Sequence, residues 1–236
     1  MDFADVRENL ARVREEIVRI QATEGLSGDV RIVAVTKGHP VEAIAAAAAA
    51  GVEDIGENRI QEALDKRVMA AALPVRWHFI GHLQSNKAKH VPGNFAVVHS
   101  VDSLKLARAL AVAWRRVAEQ ADTSPRPLAV LLQVNVAGEV QKGGCPPDQV
   151  GDLARRVAEM PEFTLEGLMT MAPFTEDVSA QREVFAALRG VRDGLTSTGL
   201  ALPELSMGMS GDFESAVAEG ATMVRLGTRL FGERHR

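Results

Sequence analysis

The stretch Arg31-Ile32-Val33-Ala34-Val35-Thr36-Lys37 gives the first indication of the fold. Its uninterrupted apolar and β-branched residues predict a strand that is buried on both faces, as in a parallel sheet. Gly38 then breaks the pattern, and Pro40 predicts the start of a helix, because proline is favoured in the first helical turn. The segment is therefore a strand-turn-helix unit that delivers the amine of Lys37 to the end of a buried strand.

Strand-like and helix-like segments alternate along the rest of the chain. We predict strands at residues 30–36, 52–56, 76–81, 96–100, 128–135, 165–171, 204–207 and 223–226. We predict helices at residues 40–50, 59–72, 103–120, 147–160, 178–195 and 212–219, with short helical pieces near Lys87 and after Thr228. Eight strands separated by helices indicate parallel strands with right-handed crossovers, which close into a (β/α)₈ barrel. A doubly wound open sheet is the alternative, but no glycine-rich dinucleotide-binding sequence follows the first strand.

The length of the chain fits a single barrel domain. Its 236 residues are close to the roughly 250 that are typical of one (β/α)₈ barrel. We expect residues 1–236 to form one domain, with 123–127 as a loop. An additional N-terminal helix over about residues 2–22 is predicted by apolar residues at alternating spacings of three and four, namely Phe3, Val6, Leu10, Val13, Ile17 and Ile20.

Composition and charge exclude several functional classes. The net charge of −4 gives no reason to expect binding to nucleic acid or to an anionic membrane. The N-terminus is charged and has no signal-peptide core, and the longest apolar stretch, residues 43–50, is too short to cross a bilayer. Cys145 is the only cysteine, so we expect no internal disulfide and a reducing, cytoplasmic location.

Two loops near the C-terminus predict an anion site. They are Ser206-Met207-Gly208-Met209-Ser210-Gly211-Asp212-Phe213-Glu214 and Val224-Arg225-Leu226-Gly227-Thr228-Arg229-Leu230-Phe231-Gly232. Each offers backbone N–H groups and a hydroxyl where a helix begins, as phosphate sites do, and barrels often bind phosphate after their seventh and eighth strands. Alone, Ser210 or Asp212 would be read as a helix cap and Gly227 as a turn residue. Their coincidence in both loops favours the phosphate interpretation.

Barrel closure places the first strand beside the eighth, so Lys37 should adjoin this anion site, with Arg225 pointing into the mouth between them. A lysine amine can condense with an aldehyde. Pyridoxal 5′-phosphate (PLP) is the commonest cofactor that carries both an aldehyde and a phosphate. Its phosphate would rest on Ser210, Gly227 and Thr228, and an arginine beside its ring nitrogen would disfavour ring protonation. The alternative is that the lysine merely extends from the strand end to water.

Several motifs occur in the order found in one known family. The sequence resembles the YggS/PROSC family of pyridoxal 5′-phosphate homeostasis proteins nearly end to end. The resemblance is carried by Ala34-Val35-Thr36-Lys37, Gly56-Glu57-Asn58-Arg59-Ile60-Gln61-Glu62, Trp77-His78-Phe79-Ile80-Gly81-His82-Leu83-Gln84-Ser85-Asn86-Lys87, Gly167-Leu168-Met169-Thr170-Met171, Leu205-Ser206-Met207-Gly208-Met209-Ser210 and Val224-Arg225-Leu226-Gly227-Thr228.

The resemblance implies a barrel like the N-terminal domain of fold-type III enzymes such as alanine racemase. It implies that Lys37 carries PLP as an internal aldimine and that the phosphate contacts the predicted loops. It also implies that Arg225 faces the pyridine nitrogen and that Asn58 lies beside the ring. The implied role is to hold PLP reversibly and buffer its aldehyde without catalytic turnover, and delivery to apo-enzymes is left open.

A racemase is the first enzymatic alternative. Alanine racemases use a tyrosine carried near a C-terminal β-domain of the partner subunit, whereas this sequence has no tyrosine and ends at Arg236 after its eighth unit. We therefore expect no two-base racemisation by that route, although His82 could in principle replace the tyrosine. The missing partner-donated domain also favours a monomer.

A Schiff-base aldolase is the second enzymatic alternative. A metal-binding site is a further possibility that the sequence allows us to assess. Glu57 and His82 could act as an acid or base by position, but we interpret them as a capping or solvent-facing carboxylate and a hydrogen-bonded structural histidine. His78 and His82 are spaced i, i+4 across a strand and turn, where they do not share a face, so we expect no metal site. Cys145 is predicted to lie in an exposed loop.

Overall fold

The computed structural model describes residues 3–121 and 126–233 of the chain. Within these residues, eight parallel strands close into a barrel in chain order, so that β1 pairs with both β2 and β8. The predicted barrel fold is confirmed. The strands are β1 Arg31–Val35, β2 Asp54–Glu57, β3 Arg76–Phe79, β4 Val97–Val101, β5 Leu128–Gln133, β6 Phe163–Met169, β7 Glu204–Met209 and β8 Met223–Leu226.

Helices connect the strands on the outside of the barrel. In the described part of the chain they are α1 Val6–Glu24, α2 Val41–Ala49, α3 Ile60–Met69, α4 Leu104–Gln120, α5 Val150–Ala158, α6 Val178–Ser197, α7 Phe213–Ala218 and α8 Thr228–Phe231. Two short 3₁₀ helices span Ser85–His90 and Val140–Lys142. No helix within the described residues has the length and apolar character needed to cross a membrane.

The element boundaries differ from the predicted ones by a few residues. The first helix lies at Val6–Glu24 and ends at Gly25, which adopts the left-handed conformation at a φ of 66°. The fifth helix begins at Val150 rather than at residue 147, because the N–H of Gln149 first closes a turn onto the carbonyl of Pro146. Of the predicted loop 123–127, residues 123–125 lie outside the described residues, as does residue 2 of the predicted first helix.

The strands have an outward apolar face and a mixed inward face. Outward residues such as Ile32, Ala34, Ile55 and Phe79 belong to the large apolar cluster that packs against the helices. Val33 and Val35 are buried outside that cluster. Because side chains alternate along a strand, Lys37 continues the inward series of β1 and points into the mouth of the barrel.

Candidate functional site

A cavity of about 590 Å³ lies at the carboxyl-terminal ends of the strands. The six predicted site residues all line it, although they come from four separate βα units: Lys37, Asn58, Ser210, Arg225, Gly227 and Thr228. The register explains part of this proximity, because Val33 of β1 pairs with Arg225 of β8. The structure therefore brings together every residue that the sequence proposed for one ligand.

The turn that carries Lys37 is tightly held. Lys37 is half-buried, and the following Gly38 has a φ of 72°, a left-handed conformation that favours glycine. The N–H of Gly38 donates to Oε1 of Glu62 at 2.6 Å, and the N–H of His39 donates to the carbonyl of Thr36 at 3.0 Å. The backbone on both sides of the lysine is thus tied to its surroundings.

The buried side chain of Lys66 holds the turn after β1 through three hydrogen bonds. Nζ of Lys66 donates to the carbonyl of Thr36, to Oε1 of Glu57 and to Oε1 of Glu62, each at 2.7 Å. The Thr36 hydroxyl also donates to Oε1 of Glu57 at 2.6 Å. Burial raises the pKa of Glu57, although the hydrogen bonds from Lys66 and Thr36 act in the opposite direction. This cluster anchors the loop after β1 to α3 and to the end of β2.

The expected roles of Glu57 were wrong. Its side chain is fully buried and neither caps a helix nor faces solvent. As the last residue of β2 it points outward, toward Thr36 and Lys66, whereas the next residue, Asn58, lines the cavity. Glu57 is therefore not placed to act as an acid or base on a ligand in the cavity.

Ser210 connects the loops that follow β7 and β8. Its hydroxyl oxygen accepts hydrogen bonds from the N–H groups of Gly227 at 3.1 Å and of Arg229 at 3.3 Å. Of the two helix-cap candidates after β7, Ser210 does not cap the helix, because its hydroxyl is directed to the neighbouring loop. Asp212 occupies the N-cap position of α7, but its carboxylate accepts from the N–H of Met209 and closes its own loop.

Arg225 is a buried cation at the wall of the cavity. Its side chain donates to the Ser206 hydroxyl at 2.7 Å and to the carbonyl of Thr170 at 2.9 Å. Desolvation lowers the pKa of Arg225 to about 10, while the nearby charge of Asp212 opposes that shift. The guanidinium therefore stays protonated at neutral pH and acts only as a hydrogen-bond donor.

Asn58 is positioned by a close backbone contact. A Cβ atom at Gly81 would lie 2.2 Å from the carbonyl oxygen of Asn58, which is closer than any side chain could come. Glycine at position 81 thus lets the loop after β3 pack against the loop after β2. Both residues line the cavity.

The structure corrects the expectations for His82 and Cys145. His82 lines the cavity, but its side chain is 67% exposed and its Nδ1 is 4.0 Å from Oδ2 of Asp102, so it is not the hydrogen-bonded structural histidine that we expected. Cys145 is buried rather than exposed, and its N–H donates to the carbonyl of Gln133. Burial raises the pKa of the Cys145 thiol, which disfavours the reactive thiolate.

Among the described residues, no group of three or more His, Cys, Asp or Glu side chains could hold a metal ion.

Sequence reasoning missed two lysines near the cavity. Lys66 and Glu62 form an i, i+4 pair on α3, a spacing that predicts a helix-surface ion pair but not its burial under the loop after β1. Lys142 lines the cavity and donates to the carbonyl of Ala172 at 2.5 Å. Nothing in the surrounding sequence signals that position.

The chain is similar to known proteins over nearly its whole length. Residues 8–235 match the family described as alanine racemase, N-terminal domain. The chain is 44% identical over 233 residues to a pyridoxal phosphate homeostasis protein of Pseudomonas aeruginosa, covering 98% of this chain and 97% of that protein. It is 36% identical to PipY of Synechococcus elongatus, whose structures without PLP and with PLP bound give TM-scores of 0.85 and 0.82 and are aligned over 96% of this chain and 100% of theirs.

An alanine racemase from Streptomyces coelicolor is a more distant structural neighbour. It is 21% identical, with a TM-score of 0.74, over 99% of this chain and 59% of that enzyme. This likeness concerns the fold alone.

Proposed function

Because the chain belongs to the family of pyridoxal phosphate homeostasis proteins, itself within the alanine racemase N-terminal domain family, we propose that it binds PLP and maintains the supply of this cofactor. One observation carries the proposal for this chain. Lys37 and the Ser210-linked loops after β7 and β8 line the same cavity.

The chemistry of the residues fits a phosphate at the Ser210 loops. The Ser210 oxygen accepts from two backbone N–H groups, so the hydrogen of its hydroxyl remains to be donated to a phosphate oxygen. Gly227 and Thr228 bring backbone and a second hydroxyl to the same part of the cavity. We assign the phosphate to Ser210, Gly227 and Thr228.

The remaining residues suit the aldehyde and the ring. When bound, PLP supplies an aldehyde that can condense reversibly with the amine of Lys37 in an aldimine linkage, with the carbonyl oxygen leaving as water. Lys37 is held for this by the cluster of Lys66, Glu57 and Glu62. Arg225 is assigned to the ring nitrogen and Asn58 to the side of the ring.

The charge of Arg225 argues for holding the cofactor rather than using it. A cationic donor beside the ring nitrogen favours the unprotonated nitrogen, which weakens the ring as an acceptor of electrons. We therefore propose a cytoplasmic, monomeric carrier that buffers PLP and delivers it to apo-enzymes without catalytic turnover. The names of the relatives support a role in PLP homeostasis.

A racemase-like enzyme is the second candidate, favoured by the fold shared with alanine racemase. The sequence contains no tyrosine that could act as the second acid or base, and His82 is the replacement that the cavity rim offers. Incubation of the PLP-loaded protein with L-alanine decides between the two: sustained formation of D-alanine that is lost in His82→Ala would favour the enzyme, and no turnover favours the carrier.

The binding proposal is tested by absorbance. Protein mixed with PLP and freed of excess cofactor should be yellow, and borohydride should bleach the band, because it reduces a carbon–nitrogen double bond. A protein that remains colourless and retains no PLP contradicts the proposal. Delivery is tested by activation of an apo-enzyme, which should be faster from the loaded protein than from free PLP at the same free concentration.

A further inference from the structure

A hydrogen-bonded series crosses the inside of the barrel from the cavity to the opposite end. The guanidinium of Arg225 donates to the Ser206 hydroxyl at 2.7 Å, and that hydroxyl lies 2.8 Å from Nδ1 of His99. Nε2 of His99 lies 2.8 Å from Nδ1 of His78, and Nε2 of His78 lies 2.8 Å from Oδ1 of Asp54. The two histidines and the serine are fully buried. We call these five residues the barrel relay.

If both imidazoles are neutral, the charged ends fix the direction of every bond in the barrel relay. The carboxylate of Asp54 can only accept, so Nε2 of His78 carries the hydrogen and Nδ1 of His78 accepts from Nε2 of His99. Nδ1 of His99 then accepts the hydrogen of the Ser206 hydroxyl, whose oxygen accepts from Arg225, a group that can only donate. All donors point from the cation to the anion.

The surroundings of the histidines favour the neutral form. Desolvation lowers the pKa of His78, although the hydrogen bond and charge of Asp54 oppose this. Desolvation and the charge of Arg225 lower the pKa of His99 well below its ordinary value. Arg31 acts on both imidazoles in the same direction. Burial and charge thus favour the neutral imidazoles that this direction requires.

The far end of the barrel relay lies at the amino-terminal end of the barrel. Arg76, whose side chain is 48% exposed, pairs with Oδ1 of Asp54 at 2.7 Å. Beside it, Glu204 pairs with Arg31 and accepts from the Thr222 hydroxyl without joining the relay. The same end of the barrel therefore also holds carboxylates outside the relay, among them Glu204 and Glu166.

We propose that Asp54, His78, His99 and Ser206 are positioning residues that orient Arg225 as a donor toward an unprotonated ring nitrogen of the ligand. This inference rests on the proposed binding of PLP. The relay and the carbonyl of Thr170 fix two donors of the guanidinium, which carries five in total. A carboxylate at one end of the barrel thereby helps to select the ligand bound at the other end.

The selection concerns the lone pair on the ring nitrogen. A ring whose nitrogen accepts a hydrogen bond can use the donor that the relay holds in place, whereas a ring with a C–H group there cannot. Damage to the relay should therefore weaken binding of PLP more than binding of its 1-deaza analogue, in which C–H replaces the nitrogen. A residue with a purely structural role would weaken both ligands equally.

The test compares the dissociation constants of PLP and of 1-deaza-PLP by absorbance titration. Ser206→Ala breaks the relay beside Arg225, and Asp54→Asn removes the charge at its far end. Glu204→Gln is the matched control, because it makes the same chemical change at the same end of the barrel outside the relay. We expect Ser206→Ala to weaken PLP binding about tenfold, the effect of losing one hydrogen bond to a charged group.

We expect Asp54→Asn to weaken PLP binding in the same sense by a smaller factor, and both relay variants to leave 1-deaza-PLP nearly unaffected. The Glu204→Gln control should bind both ligands like the parent. Equal losses for the two ligands, or no loss in either relay variant, would overturn the inference. If the parent protein binds no PLP, it is the proposed function that fails.

A second measurement tests the relay without any ligand. Nitrogen-15 chemical shifts of the parent protein should show both imidazoles neutral and protonated on Nε2 at neutral pH. Ser206→Ala should change the shift of Nδ1 in His99, which loses its donor. A charged imidazole, or a hydrogen on Nδ1 of either residue, contradicts the deduced direction and overturns the inference even where the variants fail to fold.

Discussion

The hydroxyl oxygen of Ser210 lies 3.1 Å from the backbone nitrogen of Gly227 and accepts its hydrogen bond. This bond joins the loop after β7 to the loop after β8 within the protein itself. The geometry that we assign to the phosphate is therefore held by the chain, and the ligand does not have to order two separate loops. Preformed sites of this kind bind more tightly because less conformational entropy is lost.

Substitutions at Ser210 should reveal the sign of the charge that the site accepts. We expect Ser210→Ala to weaken PLP binding several-fold, since one hydrogen bond to an anion is lost. Ser210→Asp should abolish binding, because its carboxylate would accept the same N–H groups and repel a phosphate. Equilibrium dialysis measures both affinities. Ser197 is an exposed serine at the end of α6, so the control substitutions Ser197→Ala and Ser197→Asp should leave the affinity for PLP unchanged. Tight binding of PLP by Ser210→Asp would show that the phosphate binds elsewhere.

Removal of Lys66 should destabilise the fold and loosen the turn of Lys37. Lys66→Met leaves the carboxylate of Glu57 buried without its cation, a change that costs about 3–5 kcal/mol in comparable buried pairs. The additional change Glu57→Gln should recover part of this loss, because the buried charge is removed as well. Urea titrations report the free energies of unfolding. The control is Arg12→Ala, which breaks the exposed pair with Glu8 and should change the free energy of unfolding little. A Lys66→Met variant as stable as the parent would refute the stabilising role of the buried pair between Lys66 and Glu57.

The neutral histidines predict a loss of stability in mild acid. The folded state lowers the pKa of His99 from the ordinary value of 6.5, so below that pH the unfolded chain binds a proton that the folded chain does not. Stability contributed by this residue is complete above pH 6.5 and falls as the pH drops toward the folded-state pKa. The buried acids Glu57 and Asp212, with raised pKa values, act in the opposite sense.

The measurement is the free energy of unfolding between about pH 7 and pH 5, the range in which an unfolded histidine gains its proton. In His99→Asn the slope should be shallower by up to about 1.4 kcal/mol per pH unit, the value for one proton. Ser197→Asn, at an exposed position without a titratable side chain, is the control and should keep the parent slope. Identical slopes in the parent and His99→Asn would show that His99 does not titrate in this way.

The contact between Gly81 and Asn58 predicts a sharp steric effect. The methyl group of Gly81→Ala would lie 2.2 Å from the Asn58 carbonyl oxygen, so one of the two loops must move. We expect lower stability and weaker PLP binding, measured by thermal unfolding and dialysis. Gly211→Ala is the control in another cavity loop, because its methyl group would meet no atom within 4 Å. A Gly81→Ala protein that binds PLP normally shows that this packing does not position Asn58.

The barrel and the cluster of cavity residues could be predicted because both follow from local patterns. Buried strands read as apolar runs, and barrel closure alone brings Lys37 beside Arg225. Glycine and hydroxyl residues at helix starts identified the loops of Ser210 and Gly227 as a candidate anion site. None of these signals depends on knowing which side chains are in contact.

The polar contacts could not be predicted because they join residues that are far apart in the sequence. Ser206 and His99 meet across the barrel although 107 positions separate them. The signal was present, since polar residues in buried strands need partners, but the partner depends on the barrel register. The burial of Glu57 and Cys145 was misjudged for the same reason, because strand direction and loop packing are set by tertiary contacts.

The identity of the amine that binds PLP is the most direct test of the account. The loaded protein is reduced with borohydride, digested, and its peptides are weighed by mass spectrometry. The account predicts the phosphopyridoxyl group on Lys37, its loss in Lys37→Ala, and its retention in Lys142→Ala, which removes the other lysine that lines the cavity. A modification on Lys142, or a protein that retains PLP with no modified lysine, would contradict the assignment of Lys37.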